Sequence, residues 1–169
     1  CATYPDVSRC QRGKFCAFAH SREEIRCPIF SPEEESERTA DFFMSKFKTK
    51  WCPYGIQHDW HSCVYAHTYQ DFRRTPELGY GSEPCPYWEK DKDKHAHALD
   101  YEQRCPNKGF YCQYAHGSKE QLYHPSYYKV MPCADWKANG WCPRGDLCAF
   151  YHDASQKRYP PATNFDYTK

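Results

Sequence analysis

The chain has 169 residues, twelve of them Cys, and a formal net charge of +1. Its apolar content is mostly aromatic, with ten Phe, fifteen Tyr and five Trp, while Leu, Ile and Val are scarce; this excludes one large aliphatic core and predicts small modules that need a staple. The near-neutral balance excludes bulk charge as a basis for holding phosphate, and no stretch reads as a signal peptide, a membrane span or a lipidation motif.

Twelve Cys could form disulfides, but four of them are followed by His four places later, with an aromatic between. These are Cys16-Ala-Phe18-Ala-His20, Cys63-Val-Tyr65-Ala-His67, Cys112-Gln-Tyr114-Ala-His116 and Cys148-Ala-Phe150-Tyr-His152. Disulfide pairing gives no reason for His to track Cys. Thiolates and imidazoles in sets of four do, because Zn²⁺ takes sulfur and nitrogen ligands tetrahedrally.

In chain order, the first set is Cys1, Cys10, Cys16 and His20, spaced x8, x5, x3. Ser21-Arg-Glu-Glu24 reads as a capping box opening a short helical turn. Cys27 fits no ligand spacing and reads as a free or buried thiol. Ser31-Pro32-Glu33-Glu34 is a helix start, and Ala40, Phe43, Met44 and Phe47 fall at helical spacing, so one acidic helix is predicted from about 32 to 46. The second set has only two Cys: Cys52, His58, Cys63 and His67, with His58 preferred to His61 because His61 would leave too short a ligand loop. Arg73-Arg74 opens a linker to the third set, Cys85, Cys105, Cys112 and His116. Its first spacing of nineteen residues carries the alternating charges of 89–94 and then His95 and His97, which read as a solvated loop outside the ligand set. Ser118-Lys-Glu-Gln121 is a further cap. The last set, Cys133, Cys142, Cys148 and His152, repeats the spacing of the first. The polar tail that follows, with Pro160-Pro161, reads as disordered or extended along a neighbouring surface. The gaps between sets are 31, 17 and 16 residues, short enough to favour modules packed together.

With these residues in place, the chain resembles the tandem CCCH zinc-finger RNA-binding proteins. The x8, x5, x3 fingers look like those of the tristetraprolin and Unkempt kind. Phe47-Lys-Thr-Lys-Trp-Cys52 is similar to their aromatic-Lys-Thr lead-in, and Tyr128-Lys-Val-Met-Pro-Cys133 is a weaker version. The His-containing second finger, with His124-Pro125 and Tyr127-Tyr128 further on, resembles plant arginine-rich tandem CCCH proteins. The resemblance implies zinc-dependent, sequence-preferring binding of single-stranded RNA, often U- and A-containing, in mRNA control. It also implies base stacking by the residues two places after the second and third ligands. At the third ligand these are Phe18, Tyr65, Tyr114 and Phe150. At the second they are Arg12, Trp60, Asn107 and Arg144, of which Asn107 cannot stack. Lys48, Lys50, Tyr128 and Lys129 stand in the lead-ins as further RNA contacts.

The expectation is therefore a compact array of four metal-stabilised CCCH-type fingers with little regular secondary structure, short helical turns and one longer linker helix. Its divisions are finger 1 at 1–26, the acidic linker at 27–46, finger 2 at 47–79, finger 3 at 80–122, finger 4 at 123–156 and the tail at 157–169. Four Zn²⁺ per chain, a single-stranded RNA partner, a monomer, no membrane contact and a cytoplasmic or nuclear site are expected, with no catalytic residue because four protein ligands leave no open metal position. The alternative is a zinc-built scaffold for other proteins.

Overall fold

A computed structural model describes residues 1, 3–54, 58–68, 70–88 and 101–169. The charged insert with His95 and His97 lies outside the described residues.

The four fingers are built by the same local rules. A short 3₁₀ turn leads into each third ligand: Gly13–Phe15, Trp60–Ser62, Gly109–Tyr111 and Gly145–Leu147. In each, the backbone N–H of the ligand Cys donates to the carbonyl three residues back. Gly13, Gly109 and Gly145 open three of these turns at φ 47°, 53° and 49°, a left-handed conformation that costs glycine nothing. Finger 2 has Trp60 at this place, and its ligand loop is one residue shorter; Asp59 starts the turn instead, its carboxylate accepting the His61 N–H.

The residue before the first ligand pairs with the residue before the His in a one-residue parallel bridge: Trp51 with Ala66, Pro84 with Ala115, Pro132 with Tyr151. Finger 1 makes the matching bond from the Cys1 amino group to Ala19 O at 3.1 Å. No longer strand occurs among the described residues.

The linker departs from expectation. The predicted helix over 32–46 is two short ones, α1 (Pro32–Ser36) and α2 (Ala40–Ser45). The capping box of Ser31 and Glu34 forms as read. Thr39 then caps a second start, accepting from Phe42 N, while Arg38 donates to the carbonyls of Glu35 and Glu37. The break leaves α1 solvated and lets α2 bury Phe42 and Phe43. The remaining helices are α3 (Tyr101–Arg104), α4 (Gly117–Leu122) and α5 (Ala134–Asn139). The caps read at Ser21 and Ser118 do not form: Ser21 makes no side-chain cap, and α4 begins at Gly117.

One aromatic core joins α2 to fingers 2 and 4. Phe30, Phe42, Phe43, Phe47, Tyr65, Tyr123, Tyr128 and Leu147 are buried in it. Phe47 and Tyr123 have ring centroids 4.5 Å apart, and Phe43 lies against Tyr128 at 5.8 Å. Such pairs add roughly 0.5–1.5 kcal/mol beyond the area they bury. Two adjacent arginines complete the assembly. Arg73 donates to Phe43 O, Met44 O, Phe47 O and Tyr123 O, satisfying carbonyls at the C-terminal end of α2. Arg74 turns the other way: it pairs with Glu120 at 2.8 Å and donates to the carbonyls of Phe110, Cys112 and Tyr114 in finger 3. Finger 1 is attached more lightly. Arg22 reaches Glu35, Tyr54 and Phe30 O, and Tyr4 meets the Tyr54 ring at 5.7 Å.

Candidate metal centres and nucleic-acid interface

The structure brings together the four ligand sets named above, Cys1/Cys10/Cys16/His20, Cys52/His58/Cys63/His67, Cys85/Cys105/Cys112/His116 and Cys133/Cys142/Cys148/His152. Within each set the ligand atoms lie within 4.8 Å of one another. Sulfur–sulfur separations are 3.6 Å for Cys1–Cys10, 3.7 Å for Cys85–Cys105 and 3.8 Å for Cys52–Cys63. A disulfide would need about 2.05 Å. A tetrahedron with Zn–S near 2.3 Å has edges of about 3.8 Å. The imidazoles give the same answer, since His20 Nε2, His116 Nε2 and His152 Nε2 are buried without a hydrogen-bond partner. A buried unsatisfied nitrogen is costly, and a metal ion satisfies it. The residues fit Zn²⁺, four sites per chain. In finger 2 the structure gathers His58 into the set, its Nε2 3.4 Å from Cys52 Sγ and 3.1 Å from His67 Nε2, while His61 is exposed. Cys27 is exposed and joins no set.

The closing His of each finger is held from behind. Its backbone N–H donates to a side chain four residues on: Glu24 at 2.7 Å, Asp71 at 3.1 Å, Glu120 at 2.6 Å and Gln156 at 2.9 Å. The sequence carries this as His-x3-acceptor in all four fingers, a signal the spacing analysis did not use. Three imidazoles are also stacked on an indole: Trp60 on His67 at 4.5 Å, Trp88 on His116 at 4.2 Å and Trp136 on His152 at 4.5 Å. Such second contacts fix ring orientation and ligand basicity. Burial holds His116 in its neutral, metal-binding form, its pKa lowered to about 3. His67 goes the other way: burial opposes its charge, but Asp71 and Cys63 raise its pKa. Asp71 itself stays ionised, since His67 and Lys48 outweigh its burial.

The residues expected to meet RNA divide sharply. Phe18 is 60% exposed and Arg12 is exposed; Arg144 and Phe150 are half-buried. Trp60 is 43% exposed, with one face against His67 and the other open. Tyr65, by contrast, is in the core, its hydroxyl on Glu35 and its ring on Phe30, so it does not present a face for stacking. Tyr128 is likewise buried in that core. Lys48 and Lys129 are buried too, both with left-handed backbones at φ 62° and 57°. Lys48 Nζ pairs with Asp71 at 3.0 Å, and Lys129 Nζ donates to Phe150 O and Gln156. These lysines brace the His caps of fingers 2 and 4 instead of offering charge to phosphate. Lys50 is half-buried, donating to Ile29 O above the Phe30 ring. Tyr114 is stacked against Tyr167 of the tail. At the second-ligand position, Asn107 and Arg144 donate to the third ligand's sulfur, Cys112 at 3.6 Å and Cys148 at 3.4 Å.

Sequence reasoning missed four exposed aromatics beside the ligands. Phe15 and Tyr111 immediately precede a third ligand and are 84% and 73% exposed; Trp141 immediately precedes Cys142 and is 64% exposed; Trp136 is 40% exposed. For Phe15, Tyr111 and Trp141, an aromatic adjacent to a ligand was the available signal. Fingers 2 and 4 also enclose a cleft of ≈ 320 Å³ lined by Trp60, His61, Lys119, Arg144 and Asp71. Lys48 and Lys119 face Asp71 at 3.0 and 3.9 Å, and Arg144 pairs with Asp135 at 2.9 Å.

Residues 41–74 match the AtC3H23-like CCCH zinc finger, and residues 128–154 match the zinc finger of C-x8-C-x5-C-x3-H type (and similar). The RING finger protein unkempt homolog of Homo sapiens is 29% identical over 184 residues, which covers 84% of this chain and 22% of that protein. For the RING finger protein unkempt of Drosophila melanogaster the figures are 29% over 175 residues, 84% and 28%. The zinc finger CCCH domain-containing protein 37 of Oryza sativa subsp. japonica is 35% identical over 124 residues, covering 70% of this chain and 42% of its own length. The chain thus spans less than half the length of each of these relatives.

Proposed function

Because the chain belongs with the tandem CCCH zinc-finger proteins, we propose that it binds single-stranded RNA, preferring short unpaired U- and A-containing elements, and acts in control of messenger RNA. CCCH fingers support nucleic-acid binding or regulation as a class. One observation carries the finer reading. The chain buries Phe30, Phe42, Phe43, Phe47, Tyr65, Tyr123 and Tyr128, yet leaves Phe15, Phe18, Trp60, Tyr111, Trp136 and Trp141 exposed on segments tied to metal ligands. Large exposed aromatics mark interaction sites, and rings at fixed positions favour unstacked bases. Each base stacked on such a ring is worth roughly 1–3 kcal/mol, with no need for high net charge. The cleft between fingers 2 and 4 gives Trp60 a place to receive a base beside Lys119 and Arg144.

With four side-chain ligands apiece, the sites are of the structural kind: zinc orders the loops and takes no part in a reaction. The chain acts as a monomer in the cytoplasm or nucleus, where twelve unpaired thiols suit a reducing compartment. Fluorescence anisotropy of the zinc-loaded protein with U/A-rich and C-rich RNA 12-mers, and with DNA of the same sequences, tests the proposal. Saturable binding to the U/A-rich RNA above the other probes is expected. Equal, salt-driven binding to all of them, or none, overturns it.

A further inference from the structure

Tyr114 holds the same place in finger 3 as Phe18, Tyr65 and Phe150 in the others, two residues after the third ligand. Phe18 is open and Tyr65 is absorbed in the core. Tyr114 alone among these four is covered by a residue of the tail. The Tyr167 ring lies against it at 4.6 Å with planes 19° apart, the geometry of a stacked base. The Tyr167 hydroxyl accepts the Glu83 N–H at 2.9 Å, and Glu83 is the residue whose carbonyl bonds Ala115 in the bridge that closes finger 3. Phe165 packs beside Tyr167, ring centroids 4.8 Å apart. Phe165 stays partly open at 36% exposure, while Asp166 between the two rings accepts from Thr168 N and Oγ1.

Finger 3 is shaped for this segment. A Cβ on Gly81 would sit 2.6 Å from Tyr167 Oη and 2.8 Å from the Phe165 ring. Gly81 does not need glycine for its backbone, because its φ is outside the left-handed range; the space is what requires it. The matching residue, four before the first ligand, is Lys48 in finger 2 and Lys129 in finger 4. Both lysines have the left-handed backbone that Gly81 lacks, so finger 3 departs from fingers 2 and 4 at this position in both backbone and side chain.

We propose that finger 3 is a peptide-binding finger that takes an aromatic-acidic-aromatic segment, and that Phe165-Asp166-Tyr167 is its resident ligand, occupying the ring that would otherwise stack a base. The masking half of this rests on the RNA reading above; the docking half does not.

Two variants displace the segment by different means. Phe165→Ala/Tyr167→Ala removes the rings and leaves the finger untouched. Gly81→Ala keeps the rings and fills their seat. In the zinc-loaded chain, amide exchange at Glu83 should speed up about tenfold or more in both. A synthetic peptide of residues 162–169 added to the double-alanine variant should restore protection, and the same peptide with both aromatics replaced should not. Unchanged Glu83 exchange in the double-alanine variant overturns the docking. For RNA, the double-alanine variant should gain affinity about three- to tenfold, and Tyr114→Ala in that background should abolish the gain. RNA binding by the wild type with no gain in the variant overturns the masking. A chain that binds no RNA at all refutes the preceding reading, while exchange at Glu83 still decides the docking.

Discussion

Finger 1 and finger 3 have the same ligand set in opposite settings. In finger 1 the three Cys are part-exposed and His20 is the buried ligand, and the finger is tied to the rest through Arg22 and Tyr4. In finger 3 all four ligands are buried, Trp88 covers His116, the Arg74–Glu120 pair lies behind the site, and the tail lies across its face. The metal closes either loop equally well. What surrounds the loop decides whether its surface is offered to a partner, as in Phe15 and Phe18, or used up in building the array.

The largest effects should come from removing zinc. A structural zinc contributes roughly 10–16 kcal/mol to a finger peptide at neutral pH. Graded chelation should strip finger 1 first, with little change in near-ultraviolet circular dichroism, and finger 3 last, with collapse of the signal. Release of all four ions in one phase would break the contrast.

Next in size is the tie behind finger 3. Arg74 and Glu120 are 1% exposed or less, so Arg74→Ala leaves a buried carboxylate unpaired and should cost about 3–5 kcal/mol in denaturant unfolding of the zinc-loaded protein. Arg22→Ala, at a pair whose side chains are 26% and 21% exposed, should cost about 1 kcal/mol. Equal losses would show that finger 1 is integrated as firmly as finger 3.

RNA contacts should follow exposure. Phe18→Ala and Trp60→Ala should each weaken binding by roughly 1–3 kcal/mol, read by anisotropy, with zinc content unchanged. Tyr65→Ala should lower the melting temperature instead, because its ring is in the core. Lys48→Ala should behave like Tyr65→Ala, with no change in the salt dependence of RNA binding, since its ammonium is committed to Asp71.

The effect most confined in conditions is on pH. His116 has its pKa lowered in the fold, so its contribution is complete above the ordinary histidine value and is lost as pH falls below it, at up to about 1.4 kcal/mol per pH unit per proton. His67 is shifted upward and takes a proton sooner on acidification. Finger 2 should therefore release zinc at a higher pH than finger 3, as followed with a colorimetric zinc indicator. The reverse order would mean that burial does not govern proton competition here.

The sequence revealed the metal sites almost entirely, down to His58 over His61, because tetrahedral coordination restricts ligand type and spacing together. The short gaps pointed to fingers packed together, but not to the core that joins finger 2 to finger 4. The sequence did not show which aromatics would stay open. Tyr65 and Phe18 occupy identical places in the motif, and only the presence of Phe30 and Glu35 beside Tyr65 draws that ring inside. The break between α1 and α2 was hidden because the strong helix start at Ser31 and the apolar spacing of Ala40, Phe43, Met44 and Phe47 read as one element, and the second cap at Thr39 is one ordinary residue. The tail was read as extended or disordered; its seat depends on Gly81, 86 residues before Tyr167, a relation that no local pattern contains.

The adjacent arginines also have a consequence for the order of assembly. Each ligand set can close locally once its metal arrives, whereas Arg73 reaches Tyr123 across 50 residues and Arg74 reaches Glu120 across 46. Loop closure over such distances is entropically dearer and slows folding. Arg74 moreover has most of its partners inside finger 3, whose carbonyls take position only after that finger has formed. Metal loading before docking is therefore the expected order, and a newly made chain would pass through a stage of fingers formed but not yet packed. In that stage Tyr65, Tyr123 and Tyr128 are still uncovered.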